Sequence, residues 1–392
     1  MSPKTSITRI TLVGLVSLAI AMGVGRFAFT PLLPLMQDDG LATIGDGGVL
    51  AAVHFVGYWL GAVFSARLGT SPKTMLRLSL LAIGICTLGM GLTDSFALWL
   101  IFRFLCGVFS AVALVLVSNF YIKHLADAGR AEKQGWVFSG VGAGIAVAGL
   151  GALAIMVSQA GSVLSWQIFG AVTLIAALAV CTRMGLEIPQ THRAAQNQKS
   201  QPSPLIWAAV IAYGAAGLGY IIPATYLPVM AREIVQSPLV FGWSWPVFGA
   251  AAFLSTPLAA RLDRHFTNRQ IWAGSQVVMA VGLLLPIIFP HILAILVAGV
   301  CVGGTFMIIT MTGMKEMHRL VPPHDVMRHI AILTAAFATG QIIGPLLASA
   351  LYELTGGFSV SLAITSVILV LTAIGLVMGA SNKAITRPLG KI

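Results

Sequence analysis

The sequence contains very little charge. Only 9% of its 392 residues are Asp, Glu, Lys or Arg, whereas hydrophobic types make up 57% and the mean hydropathy is +0.92. An ordinary soluble domain is about 25% charged. A soluble protein of this length could not cover its surface with so few charged side chains. The composition therefore excludes a typical soluble enzyme, a disordered chain and a nucleic-acid-binding protein, and it predicts a polytopic membrane protein.

Cysteine and catalytic motifs are also scarce. The four cysteines (Cys86, Cys106, Cys181 and Cys301) lie inside apolar runs without metal-ligand spacing, so we interpret them as free thiols that pack. The sequence has no nucleotide phosphate-binding loop and no His-Glu-x-x-His pair. We expect no enzymatic activity, no metal, no cofactor and no nucleic-acid partner.

Long apolar runs occupy most of the chain. A membrane-crossing helix needs about 20 apolar residues, and its backbone groups must be hydrogen-bonded internally because hydrocarbon offers no water. The runs predict an all-α integral membrane protein with twelve transmembrane helices, the first of which is too long for a signal peptide. The predicted spans are 10–36, 46–68, 74–92, 96–122, 134–157, 163–182, 204–230, 240–261, 271–290, 293–314, 328–352 and 358–380.

Positive charge is distributed unevenly among the connections between these spans. Of the 23 Lys and Arg residues, all except Arg26, Arg103 and Arg232 fall at the two termini or in the even-to-odd connections. Because positive loops stay in the cytoplasm, both termini are predicted to be cytoplasmic. The net charge of +11 then reflects topology, and the expected contact of these residues is with anionic lipid headgroups.

The chain divides into two similar halves. Residues 183–203 form a polar stretch, which predicts an N-terminal six-helix bundle at 1–182, a cytoplasmic linker at 183–203 and a C-terminal six-helix bundle at 204–392. A shift of 194 residues superimposes Gly23 on Gly217, Gly25 on Gly219, Pro34 on Pro228 and Met36 on Met230. Such a parallel repeat predicts a substrate site near the midplane between the halves, with alternating access by rocking.

Several motifs resemble those of the major facilitator superfamily. The segment Arg103–Gly107 is similar to the family's Arg-x-x-x-Gly pattern in the fourth helix, and the connections at Arg67 and at Arg261–Arg264 resemble its basic loops. The segments Gly23–Pro31 (GVGRFAFTP) and Gly340–Pro345 (GQIIGP) resemble the YbfB/YjiJ-type bacterial branch. The resemblance covers the whole length of the chain.

This resemblance implies a 6+6 transporter fold, a monomer and a bacterial inner-membrane location. It also implies conformational or gating roles for a set of glycines, prolines and loop charges. These residues are Gly23, Gly25, Pro31, Arg67, Asp263, Gly340, Gly344 and Pro345.

Arg26 is the most distinctive candidate for substrate binding. It lies about 15 Å from the end of its helix, and a buried arginine costs about 3 kcal/mol or more in a membrane. One interpretation is a clamp for an anionic substrate group, because the guanidinium is a planar fork. The other is a structural arginine that bonds carbonyls near Pro31 and Pro34. No acidic residue in the spans is placed to neutralise Arg26, so we expect the substrate to supply the negative charge.

Two further polar residues lie deep in the spans. Arg103, about 11 Å into the fourth helix, is either a second anion or coupling residue, as the resemblance implies, or an interhelical bond within the first half. His54 lies about 15 Å into the second helix. Because histidine changes charge near neutral pH, it is either a proton-coupling residue or a neutral histidine bonded to a neighbouring helix.

Tyrosine, glutamine and methionine side chains complete the candidate site. Tyr220 is equivalent to Arg26 in the second half, and Tyr213, Tyr58 and Gln341 could present polar groups to a ligand. Met307, Met311 and Met314 follow helical spacing and either pack or line an apolar cavity.

These features leave three classes of function open. The first is a secondary transporter of a small organic anion such as a carboxylate, with protons entering at His54 in symport. The second is an exporter of drugs or sugars. The third is a non-transporting membrane sensor or membrane enzyme, which is disfavoured because the sequence has no extramembrane domain.

Overall fold

Twelve long helices form the fold in the part of the chain that the structure describes. The structure is a computed structural model that describes residues 6–65, 71–130, 133–184, 204–262, 265–322 and 325–384. Arg67, Asp263 and most of the predicted linker lie outside these ranges. The helices are α1 Ile7–Asp38, α2 Ile44–Phe64, α3 Pro72–Gly89, α4 Phe96–Ile122, α5 Gln134–Val157, α6 Ser162–Arg183, α7 Pro204–Ile234, α8 Ser244–Leu262, α9 Asn268–Ile288, α10 Ile292–Leu320, α11 Val326–Thr355 and α12 Ser359–Ala384.

Eleven helices within the described ranges are long and apolar enough to cross a membrane. The exception is α3, which has 18 residues and carries Lys73 and Arg77 in its first turns. It nevertheless packs along α4 and α6 in the same way that α9 packs along α10 and α12. The prediction of an all-helical, twelve-helix membrane fold is therefore confirmed.

Helix α10 extends six residues beyond its predicted end, from 314 to Leu320. The extension is polar, so hydropathy did not reveal it. Glu316 is buried there and accepts hydrogen bonds from Arg269, at 2.5 Å, and from Arg319, at 2.7 Å and 2.9 Å. These two ion pairs compensate the buried carboxylate and allow the helix to continue.

The two six-helix bundles repeat the same contacts. In the first bundle α1 packs on α5 and α2 on α4, and in the second α7 packs on α11 and α8 on α10. Between the bundles α5 packs on α8, α2 on α11 and α1 on α7. Each contact has a counterpart one repeat away, and the α1–α7 contact is its own counterpart. Helices α1 and α7 therefore lie at the axis that relates the two halves.

Glycines let the helices within each bundle approach closely. A side chain at Gly23 would collide with the backbone of Gly144 in α5, and a side chain at Gly340 would collide with the backbone of Gly214 and Leu218 in α7. Gly344 faces Ile221 in the same groove, and Gly25 faces Ile83 in α3. Four of the glycines predicted to have conformational roles thus lie at tight helix contacts, as small residues do in membrane proteins.

The helices end at two opposite faces of the molecule. We call the face that carries the start of α1 and the end of α6 the terminal face, and there Arg9 donates a hydrogen bond to the carbonyl of Arg183. The opposite face carries the end of α1 and the start of α6, where Ser162 donates through its backbone N–H to Asp39 at 2.6 Å. The cytoplasmic location of the terminal face stays a prediction.

Candidate functional site

Arg26 lies in a wide-turn region of α1. Residues Ala19–Val24 form a π-helical segment directly before Gly25 and Arg26, an uncommon geometry that is frequent at functional sites. The Arg26 side chain is buried, at 5% exposure. The segment places the guanidinium inside the bundle at the contact between α1 and α7.

Aromatic rings surround the Arg26 guanidinium. Its carbon Cζ lies 4.8 Å from the ring centres of Phe55 and Tyr58 and 5.0 Å from that of Phe27. A cation over such ring faces is stabilised by about 0.5–2 kcal/mol. Phe27 and Phe55 are not recognisable as site residues from sequence, because apolar rings in a membrane span carry no distinguishing signal. We call these three residues with Arg26 the arginine cage.

Tyr220 connects the arginine cage to the second bundle. Arg26 donates from Nη2 to the Tyr220 hydroxyl, and Gln341 donates from Nε2 to the same oxygen. Arg26 and Tyr220 are separated by 194 residues, the offset of the internal repeat. The predicted candidates Arg26, Tyr58, Tyr220 and Gln341 therefore meet at one place, on the axis between the halves.

No carboxylate balances Arg26 within the part of the chain that the structure describes. Asp46 and Glu316 are engaged elsewhere. Asp46 caps the start of α2 by bonding Thr43, and Glu316 pairs with Arg269 and Arg319. Two buried polar atoms of the site, Nε of Arg26 and Oε1 of Gln341, have no hydrogen-bond partner among the described residues. The site has a net positive charge and unused bonding capacity.

Arg103 lies inside the first bundle. Its Nε and Nη1 point to the carbonyls of Leu50 and Gly25 at 3.5 Å each, and its Cζ lies 4.7 Å from the ring centre of Phe29. The thiol of Cys106 also donates to the Gly25 carbonyl, at 3.0 Å. Arg103 and Cys106 thus hold the residue that directly precedes Arg26.

His54 is fully buried in α2, one turn before Tyr58. Its ring lies edge-on to Phe55, with centroids 5.4 Å apart. Neither ring nitrogen has a hydrogen-bond partner in the described ranges. Both interpretations of His54 from sequence, a proton-coupling residue and a neutral histidine bonded to a neighbouring helix, stay predictions.

Tyr213 lies near the arginine cage but outside it. Its hydroxyl donates to the carbonyl of Thr310 at 3.4 Å, and its ring packs on Trp272 and Phe337. Phe337 also stacks on Tyr220, with ring centroids 5.4 Å apart. Tyr213 therefore supports the site through Phe337.

A proline in α7 leaves a carbonyl free for a contact between the halves. Pro228 has no N–H, so the carbonyl of Ala224 has no intrahelical donor, and it accepts a hydrogen bond from Thr30 at 2.5 Å. Thr30 and Ala224 are again 194 residues apart. Pro345 in α11 accepts from the Tyr226 hydroxyl at 3.2 Å, and Pro31 is buried in α1.

An ionic contact holds the halves together at the opposite face. Arg232 of α7 donates to the Pro34 carbonyl at 2.7 Å, to Asp38 at 2.5 Å and to Gln37 at 2.8 Å. Asp38 and Arg232 share the 194-residue offset, so a search for opposite charges at equivalent positions would have found this pair. We call Arg232 with its three partners the clasp. The clasp joins α1 to α7 at this face.

A cavity opens between the bundles near the terminal face. Its volume is 290 Å³, and α5, α8 and α10 line it with Trp136, Phe138, Phe253, Pro257 and Met311. Met307 is buried and Met314 is half-buried. Trp245 is fully buried and packs on Phe248 and Phe27.

Two equivalent helical bundles that meet around a buried, charged contact define a multi-pass membrane transporter. The family follows from the sequence comparison: a family model described as uncharacterised MFS-type transporter YbfB matches residues 18–377. The chain belongs to this family of the major facilitator superfamily. A search of curated proteins finds no match.

Solved transporter structures share the fold. A D-xylose-proton symporter matches with a TM-score of 0.75 at 14% identity, covering 94% of this chain and 97% of that one. The nucleoside transporter NupG matches at 0.71 and 12%, covering 95% and 99%. A bacterial homologue of the human lysosomal transporter Spinster, in an inward-facing and occupied conformation, matches at 0.70 and 15%, covering 96% of each chain. At these identities the likeness establishes the fold alone.

The clasp generates a prediction about access from the opposite face. Arg232→Ala removes three hydrogen bonds between the halves, whereas Asp38→Asn removes one ion pair of an exposed carboxylate. An exposed pair is worth about 0.2–1 kcal/mol, or at most about fivefold in an equilibrium. We expect labelling of a Leu35→Cys reporter by a polar maleimide to accelerate more than tenfold in Arg232→Ala and less than fivefold in Asp38→Asn.

Asp94→Asn is the matched control for this experiment, because Asp94 lies on the same face outside the clasp. It should leave the labelling rate unchanged. Equal rates for Arg232→Ala and the control would show that the clasp does not hold this face closed.

Proposed function

We propose that this transporter moves a small organic anion, a carboxylate, by alternating access. The observation that carries the proposal is the buried charge of Arg26, which no described carboxylate balances. Breaking charge balance in a membrane interior is costly. A substrate carboxylate would supply the missing charge and would match the planar guanidinium fork.

The position of Arg26 supports coupling between binding and movement. The Arg26–Tyr220 hydrogen bond joins the two bundles and lies on their common axis. A carboxylate that takes the place of the Tyr220 hydroxyl on Arg26 would remove this bond between the halves. A ligand can shift a conformational equilibrium only through such a difference in contacts between states. Substrate binding would thus weaken one contact that holds the present conformation.

Arg103 has a positioning role in this proposal. It binds the carbonyl of Gly25 and the carbonyl of Leu50, which lie in α1 and α2. The π-helical segment before Gly25 makes the backbone there irregular. Arg103 would keep Arg26 at a fixed depth against Phe55 and Tyr58, without itself contacting the substrate.

His54 provides the proposed route for proton coupling. Its free imidazole lies in the same helix as two rings of the arginine cage. Protonation would add a positive charge near Arg26, which is unfavourable, and an anion bound to Arg26 would offset that repulsion. Anion binding and proton uptake are therefore expected to favour each other, which is the requirement for symport.

Export of an apolar drug or a sugar is the second candidate. The 290 Å³ cavity near the terminal face, with its tryptophan, phenylalanine and methionine walls, favours it. In that case Arg26 would be a structural residue. Thermal stabilisation by carboxylates, or instead by sugars and lipophilic cations, distinguishes the two functions.

The anion proposal predicts which ligands stabilise the purified protein. Small carboxylates should raise the melting temperature and their neutral amides should not, because only the acids balance Arg26. At 100 times its dissociation constant a ligand stabilises by about 2.7 kcal/mol. Arg26→Ala should abolish the shift, and Arg26→Lys should retain little of it because the fork is lost.

Arg9→Lys is the control variant, since Arg9 is exposed at the terminal face, and its shift should equal that of the unaltered protein. Stabilisation by sugars or lipophilic cations alone would contradict the anion proposal and support export.

The symport proposal predicts proton uptake on binding. In weakly buffered solution, addition of a stabilising carboxylate should raise the pH as His54 takes a proton, and His54→Gln should bind the carboxylate without that change. Tyr213→Phe, which alters a hydroxyl outside the arginine cage, serves as the control. Equal proton uptake in His54→Gln would exclude this histidine as the coupling residue.

A further inference from the structure

We propose that the substrate is an aromatic carboxylate, a flat ring that carries the acid group. This inference rests on the proposed function and names the chemical class that the same site would accept. It is carried by the rings on both sides of Arg26, by the way Tyr220 is held, and by the few polar atoms that remain free.

The first bundle surrounds Arg26 with ring faces. Phe27, Phe55 and Tyr58 all belong to α1 and α2, so they stay with Arg26 when the bundles separate. They lie within 5.0 Å of the guanidinium carbon. The atoms of a substrate next to its carboxylate would therefore contact aromatic faces.

The second bundle faces this cage with a stack of rings. Tyr220 lies between Phe306 and Phe337, with centroid distances of 5.1 Å and 5.4 Å and interplanar angles of 9° and 13°. The stack continues from Phe306 to Phe248 and Trp245. A ligand between the bundles would meet the ring faces of the arginine cage on one side and the hydroxyl edge of this aromatic stack on the other, an arrangement that suits a flat π-system.

The contact of Tyr220 with Arg26 indicates which chemical groups the arginine cage can bind. In the present conformation the group on Arg26 is an oxygen attached to an aromatic ring, and that ring is stacked between two others. A benzoate-type ligand presents the same elements with a full negative charge in place of the neutral hydroxyl. It would replace the Tyr220 oxygen on Arg26 and gain a charge-assisted bond.

The polar atoms of the site are too few for a polyhydroxylated acid. Nε of Arg26 and Oε1 of Gln341 have no partner within the described part of the chain, and a ligand that displaces the Tyr220 hydroxyl also frees the donors Nη2 of Arg26 and Nε2 of Gln341. Together these four groups suffice for a carboxylate and one donor group. Each further hydroxyl buried without a partner would weaken binding, so a sugar acid fits poorly.

Thermal stabilisation of the full-length protein tests the substrate class. The panel holds benzoate, 4-hydroxybenzoate, cyclohexanecarboxylate, gluconate and benzamide, each titrated to give an affinity. The two benzoates should bind, cyclohexanecarboxylate should bind about tenfold more weakly because it cannot stack, and gluconate and benzamide should not bind.

Phe55→Leu separates stacking from simple apolar contact. It keeps an apolar side chain of similar length and removes a ring of the arginine cage, so it should bring the affinity for benzoate close to that for cyclohexanecarboxylate. Phe289→Leu, an exposed position at the end of α9, should leave the tenfold difference intact.

The outcomes separate this inference from the proposed function. Arg26-dependent binding of gluconate or cyclohexanecarboxylate as tight as that of benzoate would overturn the aromatic class and leave the anion proposal standing. An unchanged preference for benzoate in Phe55→Leu would also contradict the aromatic cage. If no acid in the panel or among aliphatic mono- and dicarboxylates binds, both proposals fail.

Discussion

A guanidinium ion buried inside a membrane protein needs its charge balanced, and the structure supplies Arg26 with ring faces and the Tyr220 hydroxyl. Cation–π contacts and a neutral hydrogen bond offset part of the desolvation, each by about 1 kcal/mol. A carboxylate partner would offset more. The aromatic cage, the bond to Tyr220 and the support from Gln341 and Arg103 are all arranged around this charge. The proposed substrate class, coupling and gating all depend on the charge of Arg26.

The internal repeat explains why the contacts between the halves have a fixed separation in sequence. Helices α1 and α7 lie on the axis that relates the bundles, so residues there contact their own equivalents. Arg26 meets Tyr220, Thr30 meets Ala224 and Asp38 meets Arg232, each pair 194 residues apart. Because the two residues of each pair differ, one can donate a hydrogen bond that the other accepts. The resulting bonds run from the middle of the bundle to the opposite face, so breaking them is part of any opening there.

Much of the fold was accessible from sequence because hydropathy and the repeat report directly on membrane spans. The same repeat aligns Arg26 with Tyr220 in the sequence alone. Phe27, Phe55 and Phe306 were missed, since aromatic residues in an apolar span are indistinguishable from packing until neighbouring helices are placed. The sequence does not decide between the two interpretations of Arg103, because its partners Leu50 and Gly25 are distant from it in sequence. The substrate contacts, proton coupling, orientation and monomeric state stay predictions.

The most direct measurement is the melting temperature of ligand-free Arg26→Gln compared with the unaltered protein. If the partner of Arg26 is a substrate anion, the ligand-free protein buries an unbalanced positive charge, which lowers its stability. Removing this charge should therefore raise the melting temperature of the variant, since binding residues often reduce stability for the sake of function. A fall of several degrees would contradict the account, because it would mean that the aromatic cage and Tyr220 already satisfy the guanidinium and that Arg26 is a structural residue.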